Sequence, residues 1–138
     1  MSEYQDTIAI RSAPADVFRF LSSVSNIPSY APVIREARLE AGDHLVALAE
    51  PAKQQREING YFRVSHETRS IEWGTDGTPN YHGRLEVRDS GGGETELSVE
   101  LSIERQDEQR VRQTLRQALE SIKRQLEQGG GYVAGGGI

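Results

Sequence analysis

Three histidines, His44, His66 and His82, are the side chains of this 138-residue sequence best suited to proton transfer or metal binding near neutral pH. Their separations match neither a His-Xaa-Glu element nor the paired histidines of a zinc site, so no metal is expected. His82 alternates with Arg84 and Glu86 and reads as solvent-facing. His44 shares the parity of Val46 and Leu48 and is expected to be able to point inward. The carboxylates Glu72, Glu86, Glu96, Glu100 and Glu104 fall on alternating polar positions, where a wetted sheet face explains them. Arg63, Arg84 and Arg88 can pair with them across strands at little gain in stability. No Gly-Xaa-Ser-Xaa-Gly elbow is present. The glycine runs at 91–93 and 129–131 fit neither a dinucleotide fingerprint nor a phosphate loop, and no cofactor is expected. With no cysteine, a disulfide framework and a thiolate nucleophile are excluded. The catalytic residues therefore stay unassigned, with Tyr81 and His44 the available acid–base groups.

The aromatic side chains carry more information. Phe62, Trp73 and Tyr81 fall on the inward parity of three strands, Leu85 shares the parity of Tyr81, and Tyr30 lies where a short helical segment meets the sheet. Two readings stand side by side. In one these residues are plain core. In the other they wall an apolar cavity in which a tyrosine hydroxyl is one of few polar handles. Leu115, Leu119 and Ile122, on one stripe of a C-terminal helix, would form the opposite wall, with the Gln125 amide just off that stripe.

The elements that must position these groups follow from periodicity. Thr7–Arg11 alternates as a strand, and Pro14 and Asp16 suit the first turn of a short helix carrying Val17, Phe18, Phe20 and Leu21. The helix frays at Ser22-Ser23, and Asn26-Ile27-Pro28 reads as a loop or one further turn. Ala31-Pro32 biases the chain to extended structure. Six strand patterns then run from about 33 to 104: 33–39, 45–48 (ended by Pro51), 57–64, 70–73, 81–88 and 97–104. The stretch Gly74–Asn80 and the run Gly91–Gly93 read as turns. One apolar and one polar face predict an antiparallel sheet with one side in water. Gly60 and Gly83, inside strands, mark bulges or sharp bends, or are merely tolerated.

Residues 107–127 read as a long amphipathic helix with Asp107 as N-cap. Val111, Leu115, Ala118, Leu119, Ile122 and Leu126 share a stripe about 100° wide, the signature of a helix lying on a sheet. Gly129–Gly131 should stop it, leaving 129–138 as a flexible Gly-rich tail after a single domain over 1–128. The order strand, short helices, six strands, long helix predicts an α+β fold. Its curved antiparallel sheet of six to seven strands wraps a C-terminal helix, with one or two short helices after the first strand.

Composition bounds the partners. Lys and Arg total 16 against 21 Asp and Glu, a net charge of −5, which argues against nucleic-acid binding by phosphate neutralisation and against a polybasic membrane module. No apolar run approaches a membrane span and no leader pattern precedes the first strand, so the expectation is a cytoplasmic domain, monomer or homodimer, without integral membrane association.

The opening Ile8-Ala9-Ile10-Arg11-Ser12-Ala13-Pro14-Ala15-Asp16-Val17-Phe18-Arg19-Phe20-Leu21 resembles the start of the SRPBCC superfamily. This is the START-like, birch-pollen-allergen-like group that includes the polyketide cyclase/dehydrase and lipid-transport branch. Asn26, Tyr30-Ala31-Pro32, Trp73, the Gly83 strand, the glycine turn before Leu97 and the closing helix fit the same pattern, over roughly residues 4 to 127. The resemblance implies a helix-grip fold with a hydrophobic cavity between sheet and last helix. The expected function is binding of a small hydrophobic ligand: a lipid, a quinone or an aromatic polyketide-like molecule. The alternatives are a cyclase or dehydratase using the same cavity, and a co-chaperone-like interaction module with a filled core. Fold alone does not choose among them.

Overall fold

The structure, a computed structural model, describes residues 2–31, 33–50, 54–75, 81–104 and 107–128. Ala31 is thus the last residue described before the expected Ala31-Pro32 step. The strand end at Pro51, most of the turn at 74–80, and the helix stop and tail at 129–138 lie outside the described residues.

Ten elements follow in order: β1 (Ser2–Ile10), α1 (Pro14–Ser22), a short 3-10 helix (Val24–Ser29), β2 (Ile34–Glu40), β3 (His44–Ala49), β4 (Arg56–Ser65), β5 (Ser70–Thr75), β6 (Tyr81–Gly91), β7 (Glu94–Ile103) and α2 (Glu108–Gln128). All strands join one antiparallel sheet in the order β1-β7-β6-β5-β4-β3-β2. Sequential hairpins place β2 to β7 side by side, and β1 closes on β7, as short connections favour. The α+β helix-grip expectation is met.

Strand β1 is longer than its apolar pattern predicts. Ser2–Asp6 contributes one large apolar side chain, Tyr4, but β7 pairs with the whole stretch from Ser2↔Ile103 to Ile10↔Thr95. Tertiary pairing overrides weak local propensity here.

The face covered by α2 is built from cross-strand rows. Ile8, Leu97 and Val87 form one row; Val99, Leu85, Ile71 and Val64 form the next; Tyr4, Leu101, Gly83, Trp73 and Phe62 form a third. Leu119, Ile122 and Leu126 of α2 and Val17, Phe18, Phe20 and Leu21 of α1 complete that core. Asp107 caps α2 as expected, its carboxylate accepting the Arg110 N–H at 3.2 Å.

Helix α2 also covers the free edge of β1. Lys123 Nζ donates to the Ala9 carbonyl at 2.7 Å, and Arg116 Nη1 donates to the Thr7 carbonyl at 3.0 Å. Arg116 meets Asp6 at 3.3 Å as well. Two edge carbonyls that could template a foreign strand are thereby occupied.

The glycine expectation needs correction. Register shifts occur between Ile34 and Glu36 and between Asp89 and Gly91, not at Gly60 or Gly83. Gly83 is opposite Trp73, and a Cβ there would strike the indole ring, so the glycine makes room for tryptophan. On the other face the Tyr61 ring lies across Gly74 in the same way. At Gly60 a Cβ would collide with the Gly74 carbonyl of the neighbouring strand.

Candidate functional site

The eight aromatic and aliphatic residues singled out from the sequence all lie between sheet and α2 or beside them, but the structure divides them. Phe62, Leu85, Leu119 and Ile122 are buried in the packed core. Tyr30, Trp73, Tyr81 and Leu115 pack against core clusters while keeping partial exposure.

That division follows position along the grip. At one end Ile10, Leu21, Leu97 and Leu126 are at most 2% exposed. Towards the other end, Trp73, Tyr81 and Ile103 on the sheet, Leu45 and Ile58 on β3 and β4, and Leu115 on α2 are only partly buried. Trp73 and Leu115 border both apolar clusters: the main core and a smaller one built on Tyr4, Leu101 and Val111. Along α2, Leu119, Ile122 and Leu126 are sealed and Leu115 is partly open, while Val111, nearer the N-terminus, is buried again against Tyr4 and Leu101.

Polar groups beside the partly open side chains are few. Trp73 Nε1–H donates to the Tyr81 hydroxyl at 3.3 Å. Tyr81 starts β6 opposite Ile103. Burial pushes its phenol above the ordinary value, and the Trp73 hydrogen bond opposes that shift in part. Tyr30 ends the 3-10 helix, its N–H bonded to the Ile27 carbonyl at 3.1 Å, with its ring 6.2 Å from that of Phe20. Burial, and then the Tyr81 phenol, push the Tyr30 hydroxyl well above its ordinary range. Both phenols therefore stay protonated at neutral pH.

The wall that presents Tyr30 is tied to α2 through one carbonyl. Ser29 O accepts from Ser121 Oγ at 3.1 Å and from Gln125 Nε2 at 3.1 Å. Gln125, just off the apolar stripe, uses its amide for this link because its place beside the stripe meets the 3-10 helix.

His44 is likewise corrected. The register Leu45↔Gly60 and Ala47↔Ile58 puts Leu45 and Ala47 on the inner face, so His44, Val46 and Leu48 face outward. His44 Nε2 lies 3.1 Å from Asn59 Oδ1 on that outer face. Val46 and Leu48 mislead because they are apolar on the outer side of the strand. His82 is exposed on the outer face, as its parity predicts.

The outer face carries two open hollows of about 250 and 330 Å³, lined by residues such as Gln5, Arg84, Glu86 and Glu100 in one and Tyr61, Glu72 and His82 in the other. Arg84 is held by Glu72 at 3.0 Å and Arg88 by Glu86 at 2.6 Å, so the charges of this surface satisfy each other. Among the described residues no group of three or more His, Asp or Glu is placed to hold a metal ion, and no helix is long and apolar enough to cross a membrane.

Tyr4, Leu101 and Val111, with Ile103 packed on them, escaped the sequence reading of the site. Tyr4 shares parity with Ile8 and Ile10, and that alternation, extended backwards, was the available signal.

No curated protein sequence matches the chain closely enough to be recognised as a relative. Among solved structures, the Zhui aromatase/cyclase from Streptomyces sp. R1128 is similar with a TM-score of 0.76 at 13% identity, over 99% of both chains. A START superfamily protein from Mycobacterium smegmatis is similar with a TM-score of 0.75 at 15% identity, over 91% of this chain and 97% of that one. The di-domain ARO/CYC BexL from the BE-7585A biosynthetic pathway gives a TM-score of 0.77 at 17% identity, over 92% of this chain and 47% of that one, so the chain spans about half the di-domain's length. At these identities the likeness is one of fold. The family described as polyketide cyclase / dehydrase and lipid transport matches residues 1–127. The chain, with its seven-strand sheet gripping a C-terminal helix, belongs to that polyketide cyclase / dehydrase and lipid transport family.

Proposed function

We propose that the protein binds a small apolar molecule between α2 and the sheet, at the end where Tyr30, Trp73, Tyr81 and Leu115 line the space. The observation that carries this reading is the uneven burial of a continuous apolar face. Leu119, Ile122 and Leu126 of α2 are sealed against the sheet, while Tyr30, Trp73, Tyr81 and Leu115 keep accessible surface beside them. Aromatic rings offer large apolar area, and releasing water from it supplies about 25 cal/mol per Å² before ordering costs are met. The buried residues Phe62, Leu85, Leu119 and Ile122 serve in this reading as the packed floor beneath the ligand.

A cyclase or dehydratase role would need a proton acceptor in the same space. The two phenols there are raised by burial and stay protonated, which favours a hydrogen-bond donor over a general base. The filled-core interaction module draws little support either. Val33 and Leu39 are the large apolar side chains left exposed among the described residues, too few for a docking patch.

Trp73 is the chain's only tryptophan, so its fluorescence reports on this site alone. Gently purified protein is expected to show an apolar adduct by native mass spectrometry. After solvent extraction, an apolar naphthalene probe is expected to change Trp73 emission saturably. Absence of both an adduct and a saturable response would overturn the reading.

A further inference from the structure

We propose that β2 is a pairing edge, along which two copies of this chain join antiparallel about a two-fold axis at Ala37 and merge their sheets.

The sheet ends in two edge strands, β1 and β2, and they are finished differently. On β1, Arg116 and Lys123 of α2 occupy the edge carbonyls of Thr7 and Ala9. On β2, the ladder to β3 takes the inward main-chain groups, and among the described residues no hydrogen bond reaches the outward ones of 35–40. Glu36, Arg38, Leu39 and Glu40 are exposed there. The large apolar side chains left exposed, Val33 at 54% and Leu39 at 40%, lie just before this strand and within it. An open row of N–H and C=O groups is a template for one more strand, and it needs no apolar patch.

The charges along the edge say which strand fits. Glu36, Arg38 and Glu40 lie opposite Leu48, Val46 and His44 on the outer face, and Ala37 and Leu39 lie opposite Ala47 and Leu45 on the inner one. Residues facing each other across an antiparallel pair share a face, so a two-fold axis between identical strands passes through a residue position. With the axis at Ala37, Glu36 of each copy faces Arg38 of the other, which makes two opposite-charge pairs on the outer face. Leu39 of each copy gains Ala37 of the other as a diagonal neighbour on the inner face. An axis at Glu36, Arg38 or Glu40 sets each of these charges against itself. An axis at Leu39 brings Ala37 against Ala41, which has left the strand with a φ of 45°. Alternating sign thus selects one register, and the strand that fits it is a second β2. Arg35 is engaged with Glu50 and Arg38 with Glu40, whereas Glu36 has no ion pair among the described residues and is free to meet a partner. The register shift between Ile34 and Glu36 keeps the regular stretch short, so the association is weak and depends on concentration.

Sedimentation velocity of the unaltered protein is expected to show a monomer–dimer equilibrium. Glu36→Arg or Arg38→Glu alone puts like charges face to face at both contacts and should weaken the dimer about tenfold. The double variant exchanges the charges and should restore it. The chain has no cysteine, so Ala37→Cys introduces one thiol. Across an axis at that position the two Cα atoms lie about 4.5–5.5 Å apart, within disulfide reach. Air oxidation should therefore cross-link Ala37→Cys faster than Leu39→Cys, although position 39 is the more exposed. A protein that stays monomeric at millimolar concentration, a double variant as weak as the single ones, or faster cross-linking of Leu39→Cys would overturn the inference. Should a variant fail to fold, hydrogen exchange of the unaltered protein decides. Amides of β2 that gain protection on concentration while those of β1 do not support the pairing, and unchanged exchange along β2 refutes it.

Discussion

Gly83 and Trp73 face each other across β5 and β6, and the missing Cβ on one strand is the space occupied by the indole of the other. Adding that Cβ must displace the ring from its contact with Tyr81. Gly83→Ala is therefore expected to cost about 1–3 kcal/mol, as overpacking does, and to alter Trp73 emission in the absence of any ligand. Urea denaturation and the fluorescence spectrum measure the two effects. Glu127 gives a residue-level prediction of a different kind. Its carboxylate accepts from Lys123 at 2.6 Å and from the Arg11 N–H at 2.8 Å, and these donors, Lys123 first, hold it below the ordinary carboxylate value of 4.5. Because the folded value is the lower one, the stabilisation is complete above 4.5 and is lost as pH falls through the folded value. Glu127→Gln should thus lower Tm at neutral pH and bring the two proteins' Tm values together below pH 4.5, measured by thermal melts across pH.

The elements show how far sequence reasoning reaches. Strands β4, β6 and β7 alternate cleanly because one of their faces meets α2 and the other meets water, so their inner residues were legible from parity alone. Strand β3 was misread because Val46 and Leu48, though apolar, occupy the outer face, and only its register with β4 reveals that Leu45 and Ala47 turn inward. The N-terminal half of β1 was hidden because its pairing with β7 is non-local. The inward parity of Phe62 and Trp73 is legible in the sequence, yet no local signal separates Phe62, sealed at 4% exposure, from Trp73, paired directly with it but partly open. That distinction depends on where α2 lies over the sheet. The 3-10 helix illustrates the same dependence. None of its residues is buried, and two side chains of α2 grip it through the Ser29 carbonyl. Ser121→Ala combined with Gln125→Leu should free that carbonyl and loosen the segment. Hydrogen exchange at the Tyr30 and Ala31 amides, both bonded to the Ile27 carbonyl, is expected to accelerate while amides of β6 and β7 keep their protection.

At the scale of the whole molecule, burial along the grip is uneven. Its sealed end holds Leu21, Leu97, Ile122 and Leu126 in full contact, so stability is concentrated there, where each methylene has packed neighbours on every side. The less covered end holds side chains that contribute less to folding because part of their surface already meets water. The two ends should therefore answer truncation differently. Leu97→Ala leaves a cavity among rigid neighbours and is expected to cost about 2–5 kcal/mol, with little effect on the affinity of an apolar probe for the molecules that remain folded. Leu115→Ala removes a side chain that borders both clusters and is partly exposed, so its cost in stability should fall well below that range. The same change widens the space opposite Trp73, and bulkier apolar probes should gain affinity relative to small ones. Denaturation midpoints and probe titrations on both variants test the division. A Leu115→Ala protein as unstable as Leu97→Ala, with an unchanged order of probe affinities, would mean that the stretch of α2 around Leu115 is core like the rest and that the proposed site does not lie there.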